Sequence, residues 1–155
     1  MMHIEIPGKP PLELQNLLLD MNGTLALDGR IPVSVRKRLQ EISSTLKIYL
    51  LTADTFGTAQ TETAALPLEF VSVGESGYLD KLEFLRKLGR KHTAAIGNGF
   101  NDHLMIKEAA LGIAVLGLEG THLLTILNAD IVVSKIEDGL DLLLHPRRIT
   151  ATLRT

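Results

Sequence analysis

Residues 14–24 read LQNLLLDMNGT. The apolar run Leu17-Leu18-Leu19 stops at Asp20, and Gly23-Thr24 follow directly. A short apolar run closed by a turn signal is the pattern of a strand buried on both faces. A carboxylate at its end sits at the carboxyl edge of a parallel sheet, where open α/β folds bind ligands. Gly23 lets the chain turn sharply and leaves backbone N–H groups open to an anion. The plain alternative is a strand terminator, so the remaining strand ends have to decide between the two.

Upstream, residues 2–6 alternate and Pro7-Gly8 with Pro10-Pro11 end them, which predicts a short edge strand and a tight turn into the central strand. Downstream, Asp28-Gly29 between short extended pieces predicts a small flap hairpin beside Asp20. Pro32 opens a helix with Val35, Leu39 and Ile42 on one face. Lys47 to Leu51 form a second strand that ends at Thr52-Ala53-Asp54-Thr55. A short polar helix over 58–66 and a third strand over 70–73 follow. A helix with Leu82, Leu85 and Leu88 inward comes next, stopped by Gly89, with Lys81 in its first turn. A fourth strand, 93–96, runs into Gly97-Asn98-Gly99-Phe100-Asn101-Asp102 and a helix carrying Leu104, Met105 and Ala109. Strands over 112–115 and 130–133, helices near 120–128 and 137–144, and a loose basic helix or frayed end over 147–155 complete the chain. Strand and helix alternate throughout, so the expected fold is α/β, a doubly wound parallel sheet with helices on both faces.

Composition narrows the function classes. The 155 residues are expected to form a single domain, 1–155, with 45% hydrophobic residues available for a core. A formal net charge of −2 gives no electrostatic case for nucleic acid or an anionic membrane. Aromatic residues are only 4%, which argues against a stacking platform for bases. With no cysteine there is no disulfide, zinc–thiolate site or thiol nucleophile. The five histidines form no i, i+4 pair or HExxH motif, although His103 follows Asp102 directly. No stretch has the form of a signal peptide or a membrane span, so the expected location is cytoplasmic.

Three strand ends now carry polar groups: Asp20 to Thr24, Thr52 to Asp54, and Asn98 to Asp102. With Lys81 they supply what phosphoryl transfer to a carboxylate needs, namely a nucleophilic oxygen, a cation, a hydroxyl or N–H clamp, and oxygens for Mg²⁺. Plain readings stand beside each. Thr52 would serve as a turn cap, Lys81 as a solvated surface lysine with Lys87 and Lys91 as competitors, and Asp102 as a helix N-terminal acid.

Order and spacing resemble the haloacid-dehalogenase-like phosphotransferase superfamily: DMNGT as its first motif, LLTAD as the second, Lys81 as the third and GNGFND as the fourth. The resemblance runs from about residue 14 to 145. It is strongest to the phosphorylation domain of P-type ATPases and to small soluble relatives of it, which the stretch ALGIAVLGLEGTHLLTILNADIVV also resembles. It implies a Rossmann-like fold and Mg²⁺ as cofactor. Asp20 would be the nucleophile that becomes an aspartyl-phosphate. The Mg²⁺ would be held by Asp20, the Asn22 carbonyl, Asn98 and Asp102, with Asn101 beside them. Gly23, Thr24, Thr52, Ala53, Lys81 and Asn101 would hold the phosphate.

The departures point to a slow enzyme. Phosphatases of the superfamily usually carry Asp, the general acid, where this chain has Asn22, and such catalysis is worth about 10²–10⁴ in rate. Asn98 likewise stands where a metal-binding Asp is usual, and an amide oxygen ligates without charge. Residues 25–51 and 55–80 leave no room for a cap or nucleotide-binding insert, so the pump reading is excluded and the site is expected to be open. A neighbouring subunit closing it, in a homo-oligomer, is the corresponding expectation. Three readings follow: a slow Mg²⁺-dependent phosphohydrolase acting on a phosphorylated substrate, a weak or inactive phosphate-binding regulatory protein on the same fold, and a receiver-like protein. The last needs an Asp at the end of the third strand, where the chain has Val73-Gly74.

Overall fold

In the computed structural model, which describes residues 1–53 and 58–155, the order of elements is close to the expected alternation. A hairpin of β1 (Met2–Ile4) and β2 (Leu12–Leu14) leads into β3 (Asn16–Asp20), α1 (Val33–Ile42) and β4 (Lys47–Thr52). Then come α2 (Thr58–Thr63), β5 (Glu69–Ser72), α3 (Gly77–Leu88), β6 (Thr93–Gly97) and α4 (His103–Glu108). The chain continues through β7 (Leu111–Val115), α5 (Leu123–Asn128), β8 (Ile131–Val133), α6 (Ile136–Leu144) and α7 (Arg147–Leu153).

Six strands form one parallel sheet in the order β5-β4-β3-β6-β7-β8, which puts β3 between β4 and β6 near its middle. Strand order reverses beside β3, and the crevice outside that point is where such sheets take ligands. Every residue of β3 is buried, as its unbroken apolar run requires. Side chains alternate between faces: Leu17 and Leu19 belong to the core on the side of α1 and α6, Leu18 to the core on the side of α3 and α4. By the same period Asp20 turns to the Leu18 side, toward α3.

One expectation is corrected. Residues 2–4 do not edge the main sheet; they pair antiparallel with β2 in a separate two-stranded ribbon, Met2 opposite Leu14. Alternation marks a strand with one buried face, not the partner it pairs with, and here Ile4, Ile6 and Leu14 pack into the α1/α6 core. The polar helix α2 also stops at Thr63, three residues short of its expected end. The flap stands as read: Leu27 and Arg30 exchange both backbone hydrogen bonds at 3.1 Å around Asp28 and Gly29, each at positive φ. Between Thr24 and β4 the chain forms only this flap and α1, and the described residues between β4 and α3 form only α2 and β5.

Candidate active site

Lys81 is the unexpected feature of α3. It is 0% exposed, one helical turn before the buried Leu85, on the stripe that packs against β3 and β4. Ser76 precedes the helix and Gly77 begins it, so Lys81 lies in the second turn and not the first as expected. There the helix dipole matters less than two carboxylates. Its Nζ donates to Asp20 Oδ1 at 2.6 Å and to Asp102 Oδ1 at 2.7 Å. Two distant segments therefore meet on one buried ammonium.

Asp102 is fully buried. Its second oxygen, Oδ2, accepts the backbone N–H groups of Asn98 and Gly99 at 3.0 and 2.9 Å. With both oxygens engaged inside the protein, Asp102 orients Lys81 and folds the motif-four loop. Asp20 is 7% exposed and keeps Oδ2 toward the loop that follows it, where the Thr24 hydroxyl lies 3.2 Å away. The same hydroxyl lies 2.9 Å from Asn98 Oδ1.

Three charges share this pocket and only one is positive. Burial and the neighbouring Asp102 push the Asp20 carboxyl up to about 6, although Lys81 and the Thr24 hydroxyl pull the other way. Burial also works against the charge on Lys81, but the two carboxylates outweigh it and hold its pKa above the ordinary lysine value. The site thus sets one ammonium between two carboxyl groups, with an acid in excess.

The remaining expected residues sit around this triad. Gly23 turns at φ +74°, and the space a Cβ would fill there is taken by Asn98 Nδ2 and Glu119 Oε2, at 2.5 and 2.9 Å. Thr52, buried, ends β4 beside β3, in which Asp20 pairs with Leu51; Ala53 follows it, exposed. Asn101 is exposed and lies over Gly77 at the start of α3. Asp54 of the second motif lies outside the described residues. Gly117 presses on the loop from the other side: a Cβ on it would meet the Gly23 carbonyl oxygen at 2.8 Å. Gly117→Ala is therefore expected to displace the Gly23 turn and to destabilise the protein by about 1–3 kcal/mol, the usual cost of overpacking, measurable as a lower denaturant midpoint.

Two neighbours of the site have no signal in the sequence. Tyr78, Phe100, His103 and His122 form a cluster on the rim, with Phe100 4.6 Å from His103 and 5.2 Å from His122 between ring centres. Beyond the Gly23–Thr24 loop lies a cavity of about 240 Å³ lined mainly by Leu25, Leu27, Pro32, Val115, Leu118 and Ile136.

Comparison with known proteins agrees with this fold. No protein-family model matches the chain. MJ0073 of Methanocaldococcus jannaschii, an uncharacterized protein, is 51% identical over 78 residues, 48% of this chain and 84% of that protein. The chain belongs to the family of MJ0073. MJ0072 of the same organism, also uncharacterized, is 49% identical over 39 residues, 25% of this chain and 89% of that protein. The fold is the capless haloacid-dehalogenase-like one. The 3-deoxy-D-manno-octulosonate 8-phosphate phosphatase of Moraxella catarrhalis, solved with magnesium, phosphate and KDO, superposes with a TM-score of 0.73 at 16% identity, covering 89% of this chain and 90% of that one. The cobalt-bound phosphatase of the same type from Haemophilus influenzae gives 0.72 at 13%, covering 92% and 94%. A zinc-transporting PIB-type ATPase in its E2.Pi state gives 0.64 at 27%, over 78% of this chain and 20% of the pump. No helix among the described residues of the MJ0073 relative is long and apolar enough to cross a membrane.

Proposed function

We propose that this protein is a phosphohydrolase that passes through an aspartyl-phosphate on Asp20. The observation that carries the reading is the Lys81 clamp, which fixes Asp20 Oδ1 at a strand end and leaves Oδ2 at the turn. Phosphatases among the structural neighbours support the same class of reaction.

A divalent cation fits the donor set on one count. The Thr24 hydroxyl carries a single hydrogen yet lies within hydrogen-bonding distance of both Asp20 Oδ2 and Asn98 Oδ1, so it serves only one of these oxygens at a time and the other can face a cation. Asp20, Asn98 and the Asn22 carbonyl are the residues that would hold Mg²⁺. When bound, the ion would neutralise phosphate charge during transfer. Among the described residues no three acidic or histidine side chains group as a metal centre.

The chain's own residues then do the following. Asp20 Oδ2 attacks phosphorus as the ester P–O bond breaks, and Lys81 holds the other oxygen and balances charge. The hydroxyl of Thr52 is suited to a phosphate oxygen, whereas the N–H groups of Gly23, Thr24, Leu25 and Ala26 are spent inside the turn on the Ala26 and Met21 carbonyls. Asn22 has no proton to give, so the leaving alkoxide takes one from water. In the second half a water attacks phosphorus, the bond to Asp20 breaks, phosphate leaves, and the carboxylate is restored. With no general acid at position 22, both halves run slowly. Asn22→Asp is expected to raise turnover of a simple phosphate ester by ten-fold or more; no gain would place the rate limit elsewhere. The direct test of the reading is hydrolysis of a phosphate-ester panel with Mg²⁺ by the wild type and by Asp20→Asn. Equal rates in both would remove it.

A further inference from the structure

The excess of amides over carboxylates at this site has a structural counterpart in the loop 116–120. Asn98 occupies a strand end where a carboxylate would place charge beside Asp20 Oδ2, and its Oδ1 instead brings a neutral oxygen there. Its other atom, Nδ2, donates to the Gly120 carbonyl at 3.0 Å, a bond no carboxylate could make. The Asn98 carbonyl accepts the His122 N–H at 2.8 Å, and Gly117 rests on the Gly23 carbonyl. The loop is thus strapped to motifs one and four at three points.

The strap delivers Glu119. Its Oε2 reaches 2.9 Å from the point where Gly23 lacks a Cβ, on the same side as Asn98 Nδ2. Among the described residues its carboxylate has no hydrogen-bond or ion-pair partner. Glu119 is exposed, and its unpaired carboxylate over the Gly23 turn adds negative charge beside the loop that joins Asp20 to Thr24.

We propose that Glu119 supplies the charge that Asn98 withholds, so that the cation site is held by Asp20 directly and by the field of Glu119 from the strapped loop. This rests on the cation reading given above. Asn98 then has two parts: its Oδ1 remains a neutral ligand, and its Nδ2 positions the loop that carries the missing charge.

The test is Mn²⁺ titration of the full chain at low ionic strength, reading free Mn²⁺ by its electron-paramagnetic-resonance signal, with no activity assay involved. Glu119→Gln is expected to weaken binding about tenfold, the effect of one charge a few ångströms from a divalent ion in water-like surroundings. Asp20→Asn should weaken it further, and Glu83→Gln, an exposed residue of α3 paired to Lys87, should change nothing. Melting without Mn²⁺ should be the same for Glu119→Gln and wild type. If Glu119→Gln binds Mn²⁺ as the wild type does while Asp20→Asn does not, Glu119 has no part and the cation reading survives. If the wild type binds none, or both variants bind as it does, the ion is not held here and both fall.

Discussion

Asp20→Asn is expected to make the protein more stable at pH 7 while removing phosphoryl transfer. The triad explains the sign. Asp20 and Asp102 share one ammonium, so ionising Asp20 in the fold works against burial and against Asp102. Its folded pKa of about 6 lies above the unfolded value of 3.8. The folded state therefore binds more protons between those values, and stability falls as pH rises from about 4 to 6. The amide stands in for the neutral acid and avoids that loss, while the Lys81–Asp102 pair remains intact. Without added divalent cation, a gain of about 1–3 kcal/mol is expected at pH 7, and a gain near zero at pH 4. Paired denaturant titrations at the two pH values measure it. A functional group held at a cost to the fold is the usual trade between stability and activity. A variant less stable than wild type at pH 7 would mean that Lys81 needs both partners.

Lys81→Met is expected to be the most damaging single change, because it leaves two buried carboxylates with no cation between them. Removing one member of a buried ion group costs about 3–5 kcal/mol, since the charges left behind stay desolvated. The loss should shrink when Asp20→Asn is added, because one of the two charges is then gone. A double-mutant cycle in denaturant reads that coupling. Additive losses would mean that the lysine acts through packing alone. Both experiments use folding as the readout, so they test the site whether or not a substrate is known.

Much of this was legible in the sequence, for physical reasons that differ residue by residue. The β3 run and the terminal Asp20 were readable because a strand buried on both faces has no polar positions to hide its end. The Asp28-Gly29 flap was readable because positive φ at two successive residues selects those residue types. Lys81 could be picked from its neighbours by resemblance alone. Its burial depends on α3 presenting one stripe to β3 and β4, and the dipole of a helix start argued against it. The partner of residues 2–4 was not readable, since alternation is the same for an edge strand and a separate ribbon. The hold of two backbone N–H groups on the second oxygen of Asp102 was not readable, since it depends on how the motif-four loop folds back. Glu119 lay in a Gly-rich connection with no periodic pattern, and only the approach of that loop to Gly23 gives it a place. The aromatic rim was hidden by a whole-chain average: Tyr78 and Phe100 are separated by a helix and a strand, and the fold brings them together with His103 and His122.

The central claim, that the carboxylate of Asp20 accepts phosphate, is tested most directly by trapping it. The protein is incubated with a small acyl phosphate and Mg²⁺, quenched in acid, digested and mapped by mass spectrometry. The account predicts one phosphoryl group on the peptide containing Asp20, labile to hydroxylamine and missing from Asp20→Asn. Phosphate on another residue, or hydrolysis that proceeds unchanged in Asp20→Asn, would contradict it.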